Sequence, residues 1–272
     1  MQHHELEPPE VLQDTIKNFW YTSISSEELA PGFEILPDGF TEIVFMFGSA
    51  CSIATTEGLQ PLPSPSLMGL LGKPVMLYAQ NHLEVIGIKC FPWTVFDLLG
   101  LSPNTSGVRT FEHPIAQLHS LLDEYVQAGK ITEALTEVKQ YFINIRPKIA
   151  TDSTLFKAGA AMSKANGTLP VSQVAAAAHA TVRTLERKFK QAAGHTVKDV
   201  SGLMRFEQVR NHLWFQPDAN LASLAQQLGY TDQAHLSREF KRYSGTTPAA
   251  FARKAKSGKA IISNDFVAFV QA

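Results

Sequence analysis

Val171 to Gly194 reads VSQVAAAAHATVRTLERKFKQAAG and Leu221 to Gly245 reads LASLAQQLGYTDQAHLSREFKRYSG, and the second segment can be laid over the first. Val171, Val174, Ala175 and Ala178 match Leu221, Leu224, Ala225 and Leu228 at an offset of 50. Leu185, Arg187, Phe189, Lys190 and Gly194 match Leu236, Arg238, Phe240, Lys241 and Gly245 at an offset of 51, so the second copy carries one extra residue in its turn. Each copy is a short apolar helix, a tight turn (Ala180-Thr181 or Gly229-Tyr230-Thr231) and a second helix opened by a threonine placed to cap it. The pattern predicts a helix-turn-helix, twice.

The second helix of each copy has two chemically different faces. At about 100° per residue, with Leu185 at zero, Phe189 lies near 40° and both point to a core. Arg183, Glu186, Arg187 and Lys190 then fall at roughly 160°, 100°, 200° and 140°, a polar and mostly cationic face. The equivalent positions of the second copy are Ala234, Ser237, Arg238 and Lys241, opposite Leu236 and Phe240. A cationic helix narrow enough for a major groove can present its first turns to base edges while its flanking cations meet phosphates. Arg183 and Arg187 are expected to bridge guanine O6 and N7, Glu186 to accept from a cytosine amino group, Gln233 to pair with adenine and Ala234 to touch a thymine methyl. Ser237 and Arg238 lie on the same face, Lys190 and Lys241 are placed for phosphate, and Thr181 and Thr231 are expected to cap their helices and donate to phosphate.

The charge distribution points the same way. The 272 residues sum to a net charge of −1, but residues 1–150 hold 8 Lys and Arg against 17 Asp and Glu, whereas residues 151–258 hold 15 against 7. An acidic half of −9 joined to a basic block of +8 suggests a polyanion partner for one half only. With 44% hydrophobic residues the chain can build real cores, and no apolar run reaches the roughly 20 residues of a membrane span.

The segment from Leu155 to Arg253 resembles the C-terminal DNA-binding region of the AraC/XylS transcription regulators. The residues that carry the resemblance are Leu185-x-Arg187-x-Phe189-Lys190 with Gly194, and Gly229-Tyr230-x-Asp232-x-x-x-Leu236-Ser237-Arg238-x-Phe240-Lys241 with Gly245-x-Thr247-Pro248. The resemblance implies two helix-turn-helix units in one monomer, joined by a linking helix over about Lys198 to Trp214, with recognition helices in successive major grooves. Two departures stand out: the alanine run Ala175 to Ala178, and His235 where the family places a large aromatic residue.

The N-terminal half reads as strands: Ile16 to Ile24, Thr41 to Phe47 after the turn Pro37-Asp38-Gly39, and a pair Val75 to Tyr78 and Leu83 to Cys90 joined by Gln80-Asn81-His82. Leu59 to Ser66, with three prolines, reads as a loop or edge connection. Leu36-Pro37-Asp38-Gly39-x-x-Glu42-Ile43-Val44-Phe45, Val85 to Phe91 and Leu98-Leu99-Gly100 resemble the small β-rich, cupin-like sensory domain of one subgroup of these regulators. Trp20, Tyr21, Phe45, Phe47, Tyr78 and Trp93 are core or pocket aromatics, core being the stronger expectation, and Glu42 and His82 are expected at the surface. Phe96 to Leu101, Ile115 to Tyr125 and Ile131 to Ile145 carry helical spacing, and the latter two either cover the sheet or form dimer contacts.

The expected architecture is α+β overall: a β-rich, barrel-like sensory or assembly domain with covering helices at 1–112, a helical pair at 113–150, an all-α double helix-turn-helix domain at 151–256 and a tail at 257–272. Ala260 to Ala272 is too apolar to dangle, and Phe266 to Val270 is expected to dock on the N-terminal domain as a strand or at a dimer interface. The chain lacks His-x-His, His-Glu-x-x-His, a close cysteine pair, a phosphate loop and a Gly-x-Ser-x-Gly elbow. Cys51 and Cys90 lie in apolar sequence that raises a thiol pKa. Neither an enzyme nor a cofactor or metal is expected. The expected partners are double-stranded DNA, a small-molecule effector, a second copy of the chain and RNA polymerase, with no membrane. The polar, acidic first ten residues and the two cysteines suggest a reducing, cytoplasmic setting at the nucleoid.

Overall fold

Strands buried on both faces are rich in apolar residues, as are the stretches Thr41–Gly48 and Leu83–Cys90. The computed structural model describes residues 2–25, 32–100, 107–110, 112–146, 153–256, 260–262 and 267–270. In chain order the first half contains β1 (Gln2–Leu6), β2 (Ile16–Ile24), β3 (Phe33–Ile35), β4 (Thr41–Gly48), β5 (Cys51–Thr55), β6 (Gly58–Leu62), β7 (Ser66–Met68), β8 (Val75–Ala79) and β9 (Leu83–Cys90). After these come α1 (Val95–Leu99), β10 (Val108–Thr110), α2 (His119–Gln127) and α3 (Ile131–Ile145). The second half contains α4 (Ser153–Lys164), α5 (Val171–Ala177), α6 (Val182–Ala193), α7 (Val197–Phe215), α8 (Leu221–Gln227), α9 (Gln233–Ser244) and α10 (Pro248–Lys256), followed by β11 (Ala260–Ile262) and β12 (Val267–Val270).

Two antiparallel sheets stack in the N-terminal half, with strand orders β1-β2-β9-β4-β7-β10 and β11-β12-β3-β8-β5-β6. Because side chains alternate along a strand, the first sheet sends Trp20, Ile24, Val44, Met46 and Val85 to the second sheet. It sends Phe19, Tyr21, Ile43, Phe45, Phe47 and Ile88 to the opposite face, where Leu122 and Val126 of α2 and Leu135, Val138 and Phe142 of α3 cover them. The helical pair therefore serves as the outer layer of the sandwich.

Two details differ from the sequence reading, and two agree with it. β8 and β9 do not pair with each other: β8 joins β3 and β5, while β9 joins β2 and β4. A turn signal shows that the chain reverses but not which partner it meets, and β9 takes the two long strands that match its length and two-sided burial. Glu42 is buried rather than at the surface, 6% exposed, because near the start of β4 it is flanked by β7 and β9 and lies beside the buried Lys89. His82, at a loop, is exposed. The proline-bearing stretch contributes the edge strand β6, bonded to β5 alone within its sheet.

A third cluster unites the helices and reaches across to the sandwich, for it includes Leu36, Leu70 and Trp93 together with Leu185, Phe189, Phe206, Leu236 and Phe240. The Trp93 ring lies 5.7 Å from Phe189, and a Cβ on Gly159 would fall 2.2 Å from Trp93. Glycine on α4 is what lets the indole seat there. β12 pairs antiparallel with β3 in the register Ala268↔Ile35, Phe269↔Glu34 and Val270↔Phe33, so the chain returns to the first domain after its last helix. Ser263 to Phe266, the last two residues and the segment 147–152 around the expected domain boundary lie outside the described residues, as does Leu101 at the end of the α1 reading.

Candidate nucleic-acid interface

The second helices of the two copies, α6 and α9, correspond in register: both are 12 residues long and every boundary is related by 51. Thr181 opens α6 in extended backbone and its Oγ1 accepts from the Thr184 N–H at 3.1 Å. Its structural counterpart is Asp232, whose Oδ1 accepts from the His235 N–H at 2.6 Å. Thr231, expected to cap α9, instead lies one residue outside the helix with its Oγ1 3.4 Å from His235 Nδ1. The residue inserted in the second turn shifts the capping position onto the aspartate, whose carboxylate is the stronger acceptor at a positive helix end. Gly194 and Gly245 close the two helices at φ 70° and 72°, their N–H groups bonded to the Lys190 and Lys241 carbonyls.

The turns match as well. Gly229 has φ 72°, and at the position 50 residues earlier His179 takes φ 52°, a left-handed conformation that a side chain rarely adopts. The following amides, Ala180 and Tyr230, each bond the carbonyl of the first helix, Ala175 and Ala225, at 2.9 Å. The His235 ring, where an aromatic was expected, stands edge-on to Tyr230 with centroids 5.3 Å apart, so it fills that packing role.

Leu185, Phe189, Leu236 and Phe240 are buried, and on the opposite faces Thr181, Arg183, Arg187, Lys190, Thr231, Gln233, Arg238 and Lys241 are exposed. Arg187 Nη1 donates to Gln191 Oε1 at 3.2 Å, which lays its guanidinium along the exposed face. Ser237 is half-buried at the border of that face. Glu186 departs from the row: it is half-buried and its Oε2 accepts from the Val197 N–H at 3.2 Å, at the start of α7. Its azimuth lies nearest the core edge, and an unsatisfied helix N-terminus waits there. Val182, the counterpart of Gln233, is 43% exposed in the first turn of α6. The repeat offset alone would have nominated it.

α7 holds the two units together. Thr196 and Asp199 form a reciprocal capping box at its start. Burial raises the Asp199 pKa, but bonds from Thr196 and the nearby His195 and Arg242 outweigh it and hold the carboxyl below its ordinary value. Arg205 on α7 donates to the Gly167 carbonyl at 2.9 Å and to both carboxylate oxygens of Glu239 on α9 at 3.1 and 3.0 Å. Both bonds to Glu239 come from Nη2 while Nη1 holds Gly167, so this one charged group ties α9 to the linking helix. Away from this face, burial pushes the Cys51 thiol up to about 11 and the Cys90 thiol further. Among the described residues no group of His, Cys, Asp and Glu could hold a metal ion, and no helix is long and apolar enough to cross a membrane.

The helix-turn-helix domain family matches residues 174–254, and a domain of unknown function, DUF6597, matches residues 4–109. No curated protein matches the chain. Among solved structures, ToxT from Vibrio cholerae in an unsaturated fatty acid-bound form aligns with 11% identity over 85% of this chain and 93% of that chain, at a TM-score of 0.48. An AraC-type transcriptional regulator from Chromobacterium violaceum aligns with 21% identity over 38% and 91%, at 0.34, and the DNA-binding domain of AdpA in complex with a target DNA with 22% over 40% and 97%, at 0.36. With two matched helix-turn-helix units, the signature residues on their faces and the family match over the same stretch, the C-terminal part of this chain is an AraC-type helix-turn-helix domain, built to bind DNA.

Proposed function

We propose that the protein is a sequence-specific regulator whose α6 and α9 enter successive major grooves of one duplex, while the N-terminal half senses a small molecule. The observation that carries the DNA reading is the common register of two capped helices whose exposed faces repeat an arginine and a lysine at the same positions. In this reading Arg183, Arg187 and Arg238 read guanines, Gln233 an adenine, and Val182 and Ala234 touch thymine methyls. Lys190, Lys241, Thr181, Thr231 and Ser237 hold phosphate, and Glu186 steadies the linking helix rather than meeting a base. The functional division is 1–112, 113–150, 151–256 and 257–272. A second copy of the chain and RNA polymerase complete the partner set, in the cytoplasm at the nucleoid.

One observation favours a second reading, in which a protein partner or the abundance of the chain is the control. The cavity between the sheets, lined by Trp20, Phe33, Met46, Met68 and Leu77 with Glu42 at its side, has a volume of only about 20 Å³. That is room for about one water molecule, so an effector seated there must part the sheets. Selecting bound DNA from a random pool, with and without cell-extract metabolites, tests both readings. The expected site spans two major-groove segments about 34 Å apart, and a much shorter site contradicts the double reader. Metabolite-dependent enrichment supports the sensor, and its absence favours the partner reading.

A further inference from the structure

The turn between β3 and β4, Pro37 to Phe40, is held from both domains at once. On the sandwich side the Lys89 ammonium, 1% exposed, lies 3.2 Å from Asp38 Oδ2 and 3.4 Å from Glu42 Oε1, and 5.2 Å from the centre of the Phe40 ring. On the other side Arg210 of the linking helix α7, 2% exposed, donates from Nη1 to the Pro37 carbonyl at 3.2 Å and sets Nη2 3.7 Å from Glu207 Oε1. Next to this bond a Cβ on Gly39 would lie 3.1 Å from Met204 Cγ, so turn and helix are in close contact. Glu42 in turn borders the inter-sheet cavity. A path of buried and half-buried groups thus leads from that cavity through one turn to the helix that joins the two helix-turn-helix units.

We propose that the turn Pro37 to Phe40 couples the two domains, with Arg210 as the positioning residue that transmits the arrangement around Glu42 and Lys89 to the linking helix. This rests on the DNA-binding regulator reading and adds a route for its control.

The balance of charge makes the junction responsive. Asp38 on the turn, Glu42 on β4 and Glu207 on α7 face Lys89 on β9 and Arg210 on α7, three carboxylates against two cations, with the Cys90 thiol also near Glu42. Burial is the largest influence on Glu42, opposed by Lys89 and reinforced by Asp38 and Glu207, and it pushes that carboxyl up to about 7. Glu42 and Glu207 belong to different domains, so ionising Glu42 sets two like charges against each other across the junction. Of these influences only Glu207, the smallest, comes from the other domain; its repulsion disfavours the docked form once Glu42 ionises, so docking should weaken as pH rises through about 7.

The test uses the full-length chain and its selected DNA site, comparing wild type with Glu42→Gln, Arg210→Met and the double variant. Amide exchange in Leu203 to Leu213, corrected for intrinsic rate, reports docking, and DNA affinity reports function. Arg210→Met is expected to speed that exchange and to shift DNA affinity by about fivefold or more, and Glu42→Gln is expected to have no further effect on either in its background. Wild-type protection should fall between about pH 6 and pH 8, and Glu42→Gln should flatten that profile. Effects that add in the double variant, or a wild-type profile unchanged by Glu42→Gln, overturn the proposal. If Arg210→Met does not fold, Gly39→Ala, whose Cβ would lie 3.1 Å from Met204 Cγ, presses on the helix from the turn side and should weaken the same coupling, while Arg210→Lys should retain part of it. Wild type without sequence preference would sink the DNA reading itself, whereas normal selective binding with additive variants sinks the coupling alone.

Discussion

Arg187 and Lys241 sit on equivalent faces but are asked for different chemistry, and their substitutions should separate the two. Arg187→Ala should weaken specific binding by about 1 to 3 kcal/mol and relax preference at one base position, as read by affinity across a panel of single-base variants. Lys241→Ala should weaken all sequences alike and reduce the salt slope by about 1, measured by titrating affinity against salt. If neither substitution alters binding to a selected site, the face assignment is wrong. His179 supplies a stability prediction. Its φ of 52° sits where the second unit has glycine, so His179→Gly relieves a strained backbone and should leave stability unchanged or raise it by up to about 1 kcal/mol in a denaturant titration. A marked loss would show that the imidazole makes a contact that matters. Exposed cations were legible in the sequence because helical periodicity alone sorts inside from outside. Glu186 was not, because its azimuth near the core edge allows either groove or neighbour, and only the packing of α7 against α6 brings the Val197 N–H within reach.

At the scale of the element, the recognition helices are defined by their ends. Asp232→Ala removes the acceptor at the start of α9 and should lower stability by about 1 kcal/mol, with Asp232→Asn close to wild type. The fraying is confined to the second unit, so footprinting should show weakened protection of one half of the site. Equal loss over both halves would mean that α9 does not read DNA independently of α6. Helices, turns and glycine stops were readable from the repeat. The choice between two adjacent capping residues, Thr231 and Asp232, was not, because an insertion in a turn can be placed on either side of the cap until the backbone is seen. Strand existence was similarly legible and strand pairing was not. β8 and β9 are joined by a short turn yet enter different sheets, since their lengths and burial suit different neighbours.

Across the whole molecule, the return of β12 to β3 adds β12 and the edge strand β11 to the second sheet. Removing Ala260 to Ala272 should lower the unfolding temperature and leave β3 as an unpaired edge, which favours pairing with a second copy. Sedimentation of the truncated chain should show increased self-association, and an unchanged state of assembly with unchanged stability would refute a structural role for the tail. The charge split has an expected consequence on the same scale: residues 1–150, at −9, should be repelled by phosphate and stay off a duplex to which the basic block is drawn. What the chain's own order of residues determined was local: the doubled helix-turn-helix, its cationic faces, the apolar strands and the division of charge, all of which follow from periodicity and spacing. What the tertiary structure decided was every contact made at long range: the sheet partners, the burial of Glu42 beside Lys89, the seat of Trp93 on Gly159 and the reach of Arg210 to Pro37, 173 residues away in sequence. A buried ion pair or an interdomain bond has no periodic signature, because its partners are brought together by the packing of whole layers rather than by the geometry of any one element.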